Sequence, residues 1–184
     1  MTPHATLLER GLVVDGSGAA PVAADVLLQG DRIAAVGPDL LARLPAGLAP
    51  ADLRRVDCGG LVVAPGFIDV HTHDDGIVLA APEMAPKVSQ GVTTVVTGNC
   101  GLSVAPFVVA EPAGALTLLG RESFRFGSMK AYAEAVAQAR PAVNVAPLVG
   151  HTTLRAACLP DLAQPASAAQ LDAMCTLLDG CLRD

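Results

Sequence analysis

Ala64-Pro65-Gly66-Phe67-Ile68-Asp69-Val70-His71-Thr72-His73 is where the sequence changes rhythm. Upstream, short apolar runs alternate with turn residues. Thr6–Val14 runs into Asp15-Gly16-Ser17-Gly18, and Val26–Gln29 meets Arg32–Val36 across Gly30-Asp31, a two-residue hairpin signal. A Pro-, Ala- and Leu-rich stretch from Gly37 to Ala51 precedes Arg55-Val56-Asp57 and Leu61–Ala64. These runs predict a small antiparallel β domain over residues 1–64. Downstream, strands alternate with helices. Gly66–His71 reads as a strand and Glu83–Gln90 as helical, and the β-branched run Val92–Thr97 is a second strand. A long loop from Leu102 to Gly127 leads to a helix capped by Ser128, spanning Met129–Ala139 and stopped by Pro141. Val143–Val149 is a third strand. A last helix starts near Ser167, with Leu171, Met174, Cys175, Leu178 and Leu182 at helical spacing. Nearly continuous apolar strands separated by helices predict an α/β fold over 65–184, with a parallel sheet covered on both faces.

Composition narrows the function classes. Of 184 residues 52% are hydrophobic and 16% charged, so the chain can bury enough surface to fold. A net charge of −6 and no Lys/Arg stripe argue against a nucleic-acid partner. The uncharged run Val88–Ala110 is broken by Gln90, Gly91, Gly98, Asn99, Gly101 and Pro106, a poor composition for a lipid-exposed helix, so no membrane partner is expected. The N-terminus lacks the pattern of a secretory signal, and five cysteines without a CxxC spacing point to reduced thiols and a cytoplasmic protein. Cys175 and Cys181 are expected to pack as small apolar residues in the last helix.

The chemistry gathers at strand ends. In parallel α/β barrels the C-terminal ends of the strands build the active site. Alternate residues on a strand share a face, so His71 and His73 can point the same way, and two neutral imidazoles there suit a zinc-like ion. A pair of solvent-facing turn histidines is the plainer alternative. By the same alternation Asp69 shares the parity of the histidines and is a candidate to orient a ligand or line the site. Asp74 and Asp75 read as solvated or helix-capping groups. Cys100, in Gly98-Asn99-Cys100-Gly101 after the second strand, is either a thiolate ligand or a buried small side chain. His151 follows the third strand, where both a cleft-lining and a structural role are open.

These stretches resemble a known family. Ala64–His73 is similar to the first-barrel-strand signature of the amidohydrolase superfamily, and Thr97-Gly98-Asn99-Cys100-Gly101-Leu102-Ser103-Val104-Ala105-Pro106 resembles the N-acyl-D-amino-acid deacylases (D-aminoacylases). Pro147–Arg155 and the loop holding Phe124-Arg125-Phe126 resemble the same family; a surface cover over the barrel is the plainer alternative for the latter. The resemblance implies the start of a (β/α)8 TIM-like metallo-hydrolase barrel, about three βα units over 65–184. It implies Zn2+ held by His71, His73 and Cys100, while His151 and Asp69 stay candidates to line the site on their strand positions alone. The implied reaction is hydrolysis of a small-molecule N-acyl-D-amino acid to a carboxylate and the free D-amino acid. The family's two further ligand histidines, its catalytic aspartate and its basic group for the substrate carboxylate would lie on later strands. Only 119 residues follow Pro65, whereas such barrels need roughly 250. The expectation is therefore an N-terminal portion, catalytically incomplete by itself, with an open sheet edge that favours poor solubility or association. A dihydroorotase- or hydantoinase-like cyclic amidase and a non-catalytic metal-binding fragment are the alternatives. Cys100 argues against the former, whose metal bridge is a carboxylated lysine.

Overall fold

β1 (Ala5–Val13) is the strand around which the N-terminal unit is organised. The structure, a computed structural model, describes residues 5–184, so His4 lies outside the described residues. The chain divides into two units, 1–65 and 66–184. In the first, β2 (Val22–Gln29) runs antiparallel to β1, and β3 (Arg32–Gly37) antiparallel to β2. β4 (Leu53–Asp57) and β5 (Val62–Val63) both lie parallel to β1. The sheet is therefore mixed, which corrects the antiparallel expectation. Parallel neighbours need a crossover of about a dozen residues, and the segment 38–52 supplies it between β3 and β4. Its apolar composition has a use, because Leu40, Leu41, Leu44 and Leu48 pack over buried Ala5, Leu7 and Leu27.

The second unit begins with β6 (Phe67–Thr72), α1 (Ile77–Ala80), α2 (Ala85–Val88) and β7 (Val92–Thr97). A single helix over 83–90 does not form. Pro82 ends one short turn, Met84 takes a left-handed conformation, and Pro86 sits in the first turn of the next. The stretch 102–127 carries β8 (Phe107–Val108) and β9 (Arg125–Phe126), paired antiparallel, with 3₁₀ turns between them. Leu116, Leu119, Phe124 and Phe126 enter the main hydrophobic cluster, so this stretch is core rather than surface cover. α3 (Met129–Ala139) starts as expected, with the Ser128 hydroxyl accepting the Ala131 N–H at 3.1 Å.

β10 (Asn144–Pro147) completes a three-stranded parallel sheet of order β10-β7-β6 that does not close. Val95, fully buried at its centre, packs into the cluster containing Tyr132, Met84 and Val143. The opposite face exposes Ile68 and Val70, each 61% accessible, so one face is covered and not two. After β10 comes α4 (His151–Cys158), a helix the sequence reading omitted. α5 (Ala168–Arg183) follows a capping box in which Ser167 and Gln170 exchange hydrogen bonds. Cys175 on α5 is exposed and Cys181 half-buried, so packing as small apolar residues fails for the first. Among the described residues no helix is long and apolar enough to cross a membrane.

Candidate metal centre

The end of β6 is not a regular strand. Asp69 faces Val95 and Thr72 faces Thr97, so two residues of β6, Val70 and His71, stand against Val96 alone. This is a β-bulge, which changes which way the following side chains point. Val95 and Thr97 are fully buried on the covered face, and Thr72 beside them is buried as well. His71 and His73, flanking Thr72, are left on the open face, where both are exposed. The bulge also corrects the parity argument for Asp69: the carboxylate lies on the covered side, opposite to the imidazoles.

On that side a single ammonium collects three partners. Lys87 Nζ, from α2, lies 2.5 Å from Asp69 Oδ2, 3.0 Å from Asp74 Oδ2 and 3.1 Å from Thr72 Oγ1. Asp69 Oδ1 also accepts the backbone N–H of His71 at 3.2 Å. The hydrogen bond from Lys87 outweighs partial burial and holds the Asp69 carboxyl below its ordinary range. Burial by itself would depress Lys87, but the hydrogen bonds to Asp69 and Asp74 prevail and raise it. Asp74 is thus an ion-pair partner and not a free surface group. Asp75 is 1% exposed, and burial lifts its pKa to about 6. Its carbonyl accepts the Tyr132 hydroxyl at 2.9 Å, while its Oδ2 has no partner. The solvated or capping role expected for it is therefore wrong.

Cys100 comes from the loop after β7. Gly98 adopts φ +82° with its Cα packed on the Leu148 carbonyl, where an added Cβ would lie 2.1 Å from the oxygen. Asn99 Nδ2 donates to Val70 O at 2.8 Å and ties this loop to the bulge of β6. Farther along, the Thr153 hydroxyl accepts the Ser103 N–H and donates to the Ser103 carbonyl, both at 2.8 Å. The Gly150 N–H donates to Ser103 Oγ at 2.9 Å, and the Thr152 N–H to Gly101 O at 2.8 Å. The start of α4 therefore serves as a mould for the thiol loop.

These supports bring His71, His73 and Cys100 together: one donor atom from each lies within 4.8 Å of the others. Cys100 Sγ is 3.6 Å from His73 Nδ1. Zn–S of about 2.3 Å and Zn–N of about 2.0–2.1 Å at a tetrahedral angle give a separation of about 3.6 Å, so this donor set fits zinc. His151 opens α4, is exposed, and stands outside this group. Asp69 stands behind it. Lys87, Asn99 and the Ser103–Thr153 pair were not singled out from the sequence; for Asn99 the neighbouring cysteine was the available signal. A groove of about 420 Å³ opens beside His73, between Ile77 and the turn holding Leu118 and Arg121.

Comparison with known proteins places the chain in a family. The model described as "Amidohydrolase family" matches residues 54–183. A D-aminoacylase of Alcaligenes xylosoxydans xylosoxydans is 49% identical over 173 residues, which is 94% of this chain and 34% of that protein. An N-acyl-D-aspartate deacylase of the same organism is 48% identical over 96% of this chain and 34% of that protein. A solved D-aminoacylase with a binuclear metal centre superposes with a TM-score of 0.89 at 52% identity, over 97% of this chain and 36% of that one. An N-acyl-D-glutamate deacylase from Bordetella bronchiseptica, in complex with zinc and a phosphonate mimic of the tetrahedral intermediate, gives 0.84 at 42% identity, over 97% and 36%. The chain spans about a third of the length of these relatives. With most of its length inside the family match, this chain belongs to the amidohydrolase family, and about half its residues are shared with the part of the D-aminoacylases that it matches.

Proposed function

We propose that this chain is the first part of a (β/α)8 metal-dependent deacylase that hydrolyses N-acyl-D-amino acids, with His71, His73 and Cys100 as its metal ligands. The observation that carries this reading is the meeting of two imidazoles and a thiol, from two neighbouring strand ends, at zinc-compatible spacing. A divalent ion held there supplies Lewis acidity towards an amide carbonyl and makes a water more acidic. The chain's own residues do the rest of what can be assigned. His71 and His73 offer ring nitrogens and Cys100 a sulfur that would bind the ion as thiolate, so binding would release a proton. Asn99 keeps the thiol loop against β6. The groove beside His73 is the space for the acyl substrate, with the exposed Arg121 guanidinium at its wall. The proton carrier for the departing amine is assigned to none of these 184 residues, and neither His151 nor Asp69 is given a catalytic role. A cyclic amidase is disfavoured because Cys100 occupies a ligand position in the cluster.

The test is zinc titration of the metal-free protein against a chromophoric chelator, with Cys100→Ser alongside. Stoichiometric binding that weakens at least tenfold in Cys100→Ser is expected. Equal binding by the two proteins refutes the ligand assignment. Assays on N-acetyl-D- and N-acetyl-L-amino acids with the longer protein test the substrate class; an L preference refutes it.

A further inference from the structure

Two carboxylates and a hydroxyl converge on one lysine directly behind the histidine pair, and their order along the chain is informative. Asp69 precedes His71, Thr72 separates the two histidines, and Asp74 follows His73. Lys87 Nζ contacts all three, at 2.5, 3.1 and 3.0 Å. One cation therefore grips the end of β6 and the residues just after it, before, between and after the two imidazoles. The grip falls on an irregular segment, since the bulge places Val70 and His71 against a single residue of β7. A bulge leaves backbone unpaired and lowers the resistance of a strand end to twisting. The Asp69 carboxylate compensates by accepting the His71 N–H at 3.2 Å, so the lysine's hold reaches the backbone of the first histidine through one side chain. The lysine side chain is only 21% accessible, and those of Asp69 and Asp74 are 29% and 17%, so water competes weakly for these contacts.

We infer that Lys87 is a positioning residue of the metal centre: by clamping Asp69 and Thr72 on the covered face of β6, and Asp74 just beyond its end, it fixes the direction in which His71 and His73 point. It touches neither imidazole. Partners of this kind, one step removed from the ligands, set ring orientation and metal affinity. The inference rests on His71, His73 and Cys100 being the ligands, and the experiment separates the two.

The probe is Co2+ alone, titrated into the metal-free protein and followed by its visible d–d bands and its thiolate charge-transfer band. Lys87→Met removes the clamp but leaves two carboxylates facing each other. The triple variant Asp69→Asn/Lys87→Met/Asp74→Asn removes the charges together and separates positioning from mere charge balance. Both variants are checked for cooperative unfolding in urea, and the triple variant is decisive if the single one does not fold. Expected is a folded triple variant whose Co2+ affinity is lowered tenfold to a hundredfold, with d–d bands altered in position and intensity. Wild-type affinity and spectrum in the folded triple variant overturn the inference, because the ion cluster would then do no more than balance charge. If the wild-type protein shows no thiolate charge-transfer band, the ligand assignment falls first. Its presence in wild type and unchanged form in the variants refutes only the role of Lys87.

Discussion

Replacing Thr153 by valine is the sharpest test of how the thiol loop is held. The side chain is fully buried, and its hydroxyl makes two hydrogen bonds of 2.8 Å, accepting the Ser103 N–H and donating to the Ser103 carbonyl. Valine has nearly the same shape, so the packing survives and only the oxygen is lost. The stranded Ser103 N–H then costs about 1–3 kcal/mol, and loss of the second bond adds about 1 kcal/mol. The expected destabilisation is about 2–4 kcal/mol. Thr153→Ser is the control: it keeps the hydroxyl and gives up one methyl group, a loss of about 1 kcal/mol. With a urea m-value of about 2 kcal/mol/M, valine lowers the unfolding midpoint by about 1–2 M and serine by about 0.5 M. Equal midpoints, or a serine variant weaker than the valine variant, would show that the methyl group matters and the hydroxyl does not. The picture of α4 as a polar mould for the Cys100 loop would then be wrong.

Two further outcomes follow from positions near the same site. Gly98→Ala forces a methyl group to 2.1 Å from the Leu148 carbonyl at a residue with φ +82°, so a loss of more than about 3 kcal/mol and a displaced Cys100 are expected in urea unfolding and in the rate of thiol alkylation. Asp75 titrates near pH 6 in the fold against 3.8 in the unfolded chain, so the folded state holds its proton more tightly. The fold therefore loses stability as pH rises from about 4 to about 6, by about 3 kcal/mol in all, and does not regain it above. Asp75→Asn is expected to abolish that slope and to be more stable than wild type at pH 8, measured by urea unfolding with chelator present. An unchanged slope would place the titration on another group.

What could be read from the sequence was local. The His71-Thr72-His73 spacing, the glycines around Cys100 and the Ser128 and Ser167 caps each depend on residues a few positions apart, and their patterns state their geometry. The remainder depends on partners distant in sequence. No periodicity shows that β4 would choose β1 as a parallel neighbour, because that choice is made by the leucine-bearing crossover folding onto Leu7 and Leu27. α4 was hidden because His151-Thr152-Thr153 reads as β-branched and polar, whereas burial of Thr153 against Ser103 pulls it into a helix start. Asp75 looked like a surface acid beside Asp74. It is buried among partners distant in sequence, with the Tyr132 hydroxyl on its carbonyl and the Val104 backbone beside its carboxylate.

The bulge in β6 makes the motif a matter of counting. Val70 contributes an exposed side chain, 61% accessible, and its backbone carbonyl accepts the Asn99 amide. The bulge, not the spacing, puts the acid and the two imidazoles out of phase, so that one strand end serves a salt cluster on one side and the three candidate ligands on the other. A regular strand with the same residues and no bulge would keep every functional group and turn the histidines towards the lysine.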